Sequence, residues 1–248
     1  MTADLDEGAL TEARADLAAA FRWTARLNMH EGVANHYSLA VSGDGRRFLM
    51  NPDSRHFSRI RASELLLLDA DDPQTMNAQD APDPTAWTLH GRMHASLPQA
   101  RCVLHAHPKY TTVLASLADS TIYPIDQTTA RFYGQIALDD GFGGMALGDE
   151  EGDRLAAKLG NKSVLMMGNH GIMVIGETVG SAFDALYYVE RAARTLVTAY
   201  MTGKPLRLLS DEVARRTADQ WATYPGLAEK HFAELKRLLD EDEPDYRT

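Results

Sequence analysis

Val103-Leu104-His105-Ala106-His107-Pro108, together with Gly168-Asn169-His170-Gly171 further on, is the part of the chain from which the rest can be read. The segment that starts at Cys102 has the apolar composition of a buried strand. Successive side chains of a strand point to opposite faces, so His105 and His107 share one face while Cys102, Leu104 and Ala106 share the other. A third nitrogen donor at His170 would complete a three-histidine set with coordination positions left open, the arrangement of a catalytic rather than a structural metal site. The set contains no carboxylate, so zinc, iron and manganese all remain open as its ion.

Around these segments strands and helices alternate. Residues 7–28 carry Leu10, Ala13, Leu17, Ala20, Phe21, Thr24 and Leu27 at helical spacing, one buried face of an amphipathic helix. Residues 35–41 and 47–50, separated by Ser42-Gly43-Asp44-Gly45, read as a hairpin, and residues 64–69 as a short strand buried on both faces. Residues 71–84, rich in proline and aspartate, read as a long loop. Residues 85–97 form a helix with Ala86, Leu89, His90, Met93 and Leu97 on its core face. His94 lies four residues beyond His90, a metal-binding spacing, but no third ligand follows; His90 therefore reads as core or as a contact beside the site.

Pro108 starts a helix that runs through Leu117. The stretch around Asp126 and Gln127 and the glycines at 141–144 read as loop and turn, residues 149–159 as a short helix, and residues 163–167 and 172–175 as two strands flanking the turn that carries His170. Thr178 caps a helix with an apolar stripe as far as Tyr200, and Ser210 opens a helical stretch that ends near Leu239. This order predicts an α/β protein on one central sheet, mixed because at least one hairpin belongs to it.

With 248 residues, 44% hydrophobic and 24% charged, the chain is long enough for one large core, and the expectation is one domain over 1–248: a core of about 10–203, a helical extension 204–239 and a solvated acidic tail 240–248. Cys102 is the one cysteine, so no intrachain disulfide can form. No secretory or membrane-spanning run is visible, which predicts a cytoplasmic protein. Lys+Arg 25 against Asp+Glu 35 gives a net charge of −10, which argues against nucleic acid or an anionic membrane as partner. Arg46, Arg47, Arg55, Arg59 and Arg61 stand out locally as either ion-paired surface or an anion trap.

Asn35-His36-Tyr37-Ser38, Asn51-Pro52, the helix with Trp87 and His90, His105-Ala106-His107-Pro108, and Gly168-Asn169-His170-Gly171 with Val174-Ile175-Gly176 resemble, in that order, the class II aldolase/adducin family. The resemblance covers roughly residues 10–203. It implies a three-layer α/β/α architecture with a mixed sheet and a homotetramer with sites near subunit boundaries. It also implies a divalent metal, zinc in the sugar-phosphate aldolases, on His105, His107 and His170. Asn35, His36 and Tyr37 match a loop that lines the family's pocket. Aldolases of the family carry a catalytic glutamate just before the aromatic residue of the helix; here that position is Ala86, which has no titratable group. Asp83 lies three residues earlier and is a weak substitute. The phosphate-binding positions also match poorly, which disfavours a phosphorylated sugar.

The expected function is a metal-dependent enzyme acting on a small hydroxy-carbonyl or keto-acid substrate by lyase- or decarboxylase-type chemistry. Two alternatives stand beside it: a non-heme iron oxygenase on the same histidines, which needs no glutamate, and a non-catalytic adducin-like interaction module. The candidates for catalysis are Asp126, Gln127 and Tyr37; those for substrate binding are Asn35, His36, His90 and Arg131.

Overall fold

The computed structural model describes residues 4–78, 80–141, 144, 149–224 and 226–248. Within them a seven-stranded sheet is built from β1 (His36–Ala40), β2 (Arg47–Met50), β3 (Leu66–Asp69), β4 (Cys102–Ala106), β5 (Ile136–Asp139), β6 (Val164–Met167) and β7 (Gly171–Gly176), in the order β3-β2-β1-β4-β7-β6-β5. Five of its pairs are antiparallel, and only β5 with β6 is parallel, so the sheet is mixed, as the strand order in the sequence predicts.

The strand alternation divides the core into two. Tyr37, Leu39, Cys102, Leu104, Ala106, Ile172 and Val174 face one side. There they meet α1 (Glu7–Arg26) and α6 (Val179–Met201), flanked by α3 (Lys109–Ala115) and α8 (Leu227–Asp242). Val103, Leu165, Met173 and Ile175 face the other side, against α2 (Pro84–Ser96) and α5 (Asp149–Leu159). The outcome is a three-layer α/β/α fold. Each large aliphatic side chain fully buried in these layers contributes on the order of 1.5–3 kcal/mol. The remaining helices, α4 (Gln127–Ala130) and α7 (Asp211–Ala222), pack against each other beside α6. No described helix is long and apolar enough to cross a membrane.

Three expectations need correction. Residues 136–139, read as part of a loop and turn region, form the edge strand β5, and 127–130 form the short helix α4, whose N-cap Asp126 accepts the Thr129 amide at 2.7 Å. Strand β3 is not buried on both faces: it is the other edge of the sheet, with Leu67 39% exposed. The acidic tail keeps exposed carboxylates but is anchored to the body rather than free in solvent. The Arg22 guanidinium, buried in α1, donates to Glu243 and Asp245, and Tyr246 is fully buried. The arginine cluster is ion-paired surface, the first of the two readings above: Arg46 pairs with Asp71, Arg55 with Glu64 and Arg61 with Asp245. Of the glycine-rich turn at 141–144, Phe142 and Gly143 lie outside the described residues.

Candidate metal centre

Three strand ends build the site. Strand β4 carries His105 on the α2 side of the sheet, and His107 follows just beyond its last residue. The turn between β6 and β7 carries His170, with the His170 amide donating to the Met167 carbonyl at 3.1 Å and Asn169 at φ 55°. Asparagine tolerates that left-handed backbone, which positions His170 at the turn. Gly171 lets β7 approach His107: a Cβ there would stand 2.4 Å from the His107 Cδ2 and 2.8 Å from the Ala106 oxygen. As a result the ring centroids of His105, His107 and His170 lie 4.8–4.9 Å apart in all three pairs, and one ligand atom from each lies within 4.8 Å of the others.

The hydrogen bonds behind two of these rings decide which nitrogen each offers. The Nδ1 of His105 donates to the Ile172 carbonyl at 3.1 Å, and the Nδ1 of His107 lies 2.5 Å from the Glu31 carboxylate. A carbonyl and a carboxylate only accept, so in the neutral rings both Nε2 atoms carry lone pairs. Those two Nε2 atoms are 3.0 Å apart. Two lone pairs facing each other at that distance call for a cation or a proton between them, so the donor set fits a divalent metal. Burial pushes the His105 imidazole well below its ordinary range and the His170 imidazole down to about 4, which keeps the rings in the neutral form that a metal binds.

The triad closes one end of a cavity of about 450 Å³ whose lining includes Glu31, Asn35, His36, Asp83, Ala86 and Arg154. Asn35 accepts the Glu31 amide through Oδ1 at 2.7 Å, while its buried Nδ2 has no partner. The exposed Asp53, which accepts from its neighbour Ser54 at 3.1 Å, also lines the cavity; the other four lining carboxylates are engaged by groups of the site. Glu31 holds His107, Asp83 caps α2 through the Thr85 and Ala86 amides, and Asp139 and Glu151 both grip Arg154. Ala86 sits in the wall, 1% exposed.

Behind the wall runs a line of buried polar groups. His36, whose ring centroid is 4.8 Å from that of His105, has its Nδ1 2.8 Å from the His90 Nε2. The His90 Nδ1 and the His94 Nε2 both meet the Ser38 hydroxyl, and the His94 Nδ1 reaches the Ala100 carbonyl at 2.6 Å. Burial pushes His36 and His94 down to about 4 and His90 well below its ordinary range. His90 and His94 therefore share a hydroxyl, and their helical spacing is not a second metal site.

The structure brings Asn35 and His36 to the cavity and puts His90 directly behind it. It does not bring Tyr37, Asp126, Gln127 or Arg131 there. Tyr37 is on the opposite face of β1, stacked on Phe21 at 4.9 Å with its hydroxyl 2.9 Å from Thr24, and burial raises its phenol well above the ordinary range. The alternation of β1 makes this unavoidable, since neighbours of the cavity-facing His36 must face the core. Asp126 is spent as a helix cap; Gln127 lines a separate cavity; Arg131 pairs with Asp184 at 2.6 Å and stacks over Tyr188 and Trp221. Glu31 and Arg154 had no sequence signal, because each acts through a partner at least fifteen positions away, and Ser38, though part of the Asn35–Ser38 motif, had no role that its neighbours in sequence could reveal, since its partners are on α2.

Comparison with known proteins agrees with this geometry. The family model for the class II aldolase and adducin N-terminal domain matches residues 15–197. A crystal structure of an aldolase II superfamily protein from Pseudomonas syringae superposes with a TM-score of 0.86 at 30% identity, covering 96% of each chain. The decarboxylase NovR of Streptomyces niveus is 27% identical over 224 residues, 87% of this chain and 82% of its own. A 4-hydroxy-3-prenylphenylpyruvate oxygenase/4-hydroxy-3-prenylbenzoate synthase of Streptomyces roseochromogenus subsp. oscitans is 26% identical over 231 residues, 90% and 82% of the two chains. With three layers, a mixed sheet and three convergent histidines in common with what its sequence motifs imply, the chain belongs to the class II aldolase/adducin family.

Proposed function

We propose that the protein is a metal-dependent enzyme that acts on a small hydroxy-carbonyl or keto-acid substrate by lyase- or decarboxylase-type chemistry. His105, His107 and His170 are its metal ligands; zinc and a homotetramer are the expectations that come with the family resemblance, and a cytoplasmic location the one that comes from the sequence. The observation that carries the reading is the pair of opposed Nε2 lone pairs 3.0 Å apart in the wall of a cavity of about 450 Å³. A divalent ion held there supplies Lewis-acid polarisation of a carbonyl or enolate oxygen.

The chain's own residues do the rest. The Ile172 carbonyl and Glu31 fix the orientation of the two rings, and the partnerless Asn35 Nδ2 offers a donor to a substrate oxygen. Ala86 moves no proton, and Glu31, Asp83, Asp139 and Glu151 are tied to His107, to the α2 cap and to Arg154, while the exposed Asp53 accepts from Ser54. The alanine at position 86 favours one second reading, a non-heme iron oxygenase on the same histidines, where oxygen activation falls to the metal. The relatives named decarboxylase and oxygenase are compatible with the two readings in turn.

Anaerobic purification with metal quantification, followed by incubation with keto acids and hydroxy-carbonyl compounds, separates them. The first reading expects one divalent ion per chain, lost in His105→Ala, and release of carbon dioxide or a cleavage product without oxygen uptake. Oxygen consumption coupled to substrate overturns it in favour of the second, and a metal-free protein that never binds a divalent ion overturns both.

A further inference from the structure

The buried line behind the cavity has a direction, and one end of it fixes the other. Ala100 contributes a backbone carbonyl, which can only accept, so the His94 Nδ1 at 2.6 Å must be the donor. A neutral His94 then has a bare Nε2, so the Ser38 hydroxyl donates to it at 2.7 Å. Ser38 has one hydrogen, now used, and so accepts from the His90 Nδ1. This leaves the His90 Nε2 bare, and the His36 Nδ1 donates to it at 2.8 Å. No carboxylate takes part in these bonds, and His36, His90, Ser38 and His94 are all buried, which favours the neutral rings that the sequence of bonds requires.

We infer that this relay fixes His36 as the tautomer with a bare Nε2 at the cavity, and that His36 thereby selects substrates carrying a hydroxyl group beside the oxygen held at the triad. Among the described residues the His36 Nε2 has no hydrogen-bond partner of its own, and His36 lines the cavity next to His105. An acceptor placed there rewards an O–H donor and gives nothing to a molecule without one. The substrate class is accordingly narrowed to 2-hydroxy acids, hydroxy-carbonyl compounds and keto acids that react as enols. His36 acts by positioning, and Ser38, His90 and His94 act through it. The selection half rests on the metal-dependent reading above; the tautomer half does not.

Two measurements test it. In metal-free protein, two-bond proton–nitrogen correlation spectra of the histidine rings are expected to find the proton of His36, His90 and His94 on Nδ1. A stable Nε2–H form of any of the three overturns the relay. In Ser38→Ala the His90 Nδ1 loses its acceptor, and His36 is expected to become a mixture of tautomers, while Ser38→Thr, which keeps the hydroxyl, restores the single form. A merely space-filling role for Ser38 would leave the His36 tautomer unmoved.

For selection, calorimetric titration of the metal-loaded protein compares glycolate with acetate. His36→Leu is expected to weaken glycolate about 2- to 10-fold, the worth of one neutral hydrogen bond, and to leave acetate unchanged. Equal loss for both, or loss for neither, overturns the selection. If His36→Leu loses its metal as His105→Ala does, His36 is a ligand and the inference is overturned. A wild-type protein that binds no metal removes the functional reading and the selection with it, whereas the ring spectra still decide the relay.

Discussion

Acidification of the metal-free protein should destabilise it first through its interior histidines. His36 and His94 are pushed from 6.5 down to about 4 by burial, and His90 falls well below 6.5. In the unfolded chain the three return to the ordinary range, so between these limits the unfolded state binds more protons than the folded one. Stability is therefore fully present above the unfolded value of 6.5 and is lost as the pH falls towards the folded value of about 4. At about 1.4 kcal/mol per pH unit for each imidazole, His36 and His94 each withdraw about 3 kcal/mol across that window. With His90, the slope near pH 5.5 comes to about 4 kcal/mol per pH unit, against a typical total stability of about 5–15 kcal/mol. Without metal, His105 and His170 act in the same direction. Urea unfolding of chelator-treated protein, followed by circular dichroism between about pH 7 and 5, reads this slope directly. His94→Gln should remove about one proton's share of it. A slope below that of a single proton in this window would refute the assignment of three neutral, desolvated imidazoles.

Two further outcomes follow from particular contacts. In Gly171→Ala the new methyl would stand 2.4 Å from the His107 ring, so the ring must leave its place in the triad; metal affinity should fall about 10- to 100-fold by competition with a chelating dye, with the circular dichroism spectrum retained. Arg22→Ala strips the Ile60 carbonyl, Glu243 and Asp245 of a shared donor, and because both acids are partly exposed the cost should be about 2–3 kcal/mol in urea, with faster proteolysis of the C-terminal segment.

Much of the fold could be read because periodicity reports on burial. The α1, α2 and α6 stripes, the β1–β2 hairpin and the strands around His105 and His170 each carry their pattern in contiguous residues. Strand β5 was missed because its buried positions are Ala137 and Asp139, a small and a charged residue, while Ile136 and Leu138 are only half-buried, so its pattern does not read as a buried strand. The C-terminal segment was misread because part of its negative charge is paired with Arg22 and Arg26, some 220 positions away, a pairing invisible to local composition. At the site, three like residue types with convergent spacing could be picked out from their chemistry alone. The choice of nitrogen on each ring could not, since it depends on the Ile172 carbonyl and on Glu31. Asp126, Gln127 and Arg131 drew attention as polar residues in a loop, and in the fold they serve α4 and its contact with α6 and α7.

The register of β1 also sets how this protein can diverge. His36 lies opposite His105 and Ser38 opposite Val103, while Tyr37 and Leu39 fill the core behind them. One residue inserted or deleted within β1 would exchange the two sets, sending imidazole and hydroxyl into the apolar layer and a phenol into the cavity. In the Ser42–Gly45 turn beyond it, Gly45 packs on the His94 backbone, where a Cβ would stand 2.4 Å from the carbonyl oxygen, whereas Gly43 and Asp44 face outward, so an added residue is accommodated most easily at those two positions. Substitution and length variation are thus partitioned along a few consecutive residues: β1 can change side chains only in kind, and the adjoining turn can change in number.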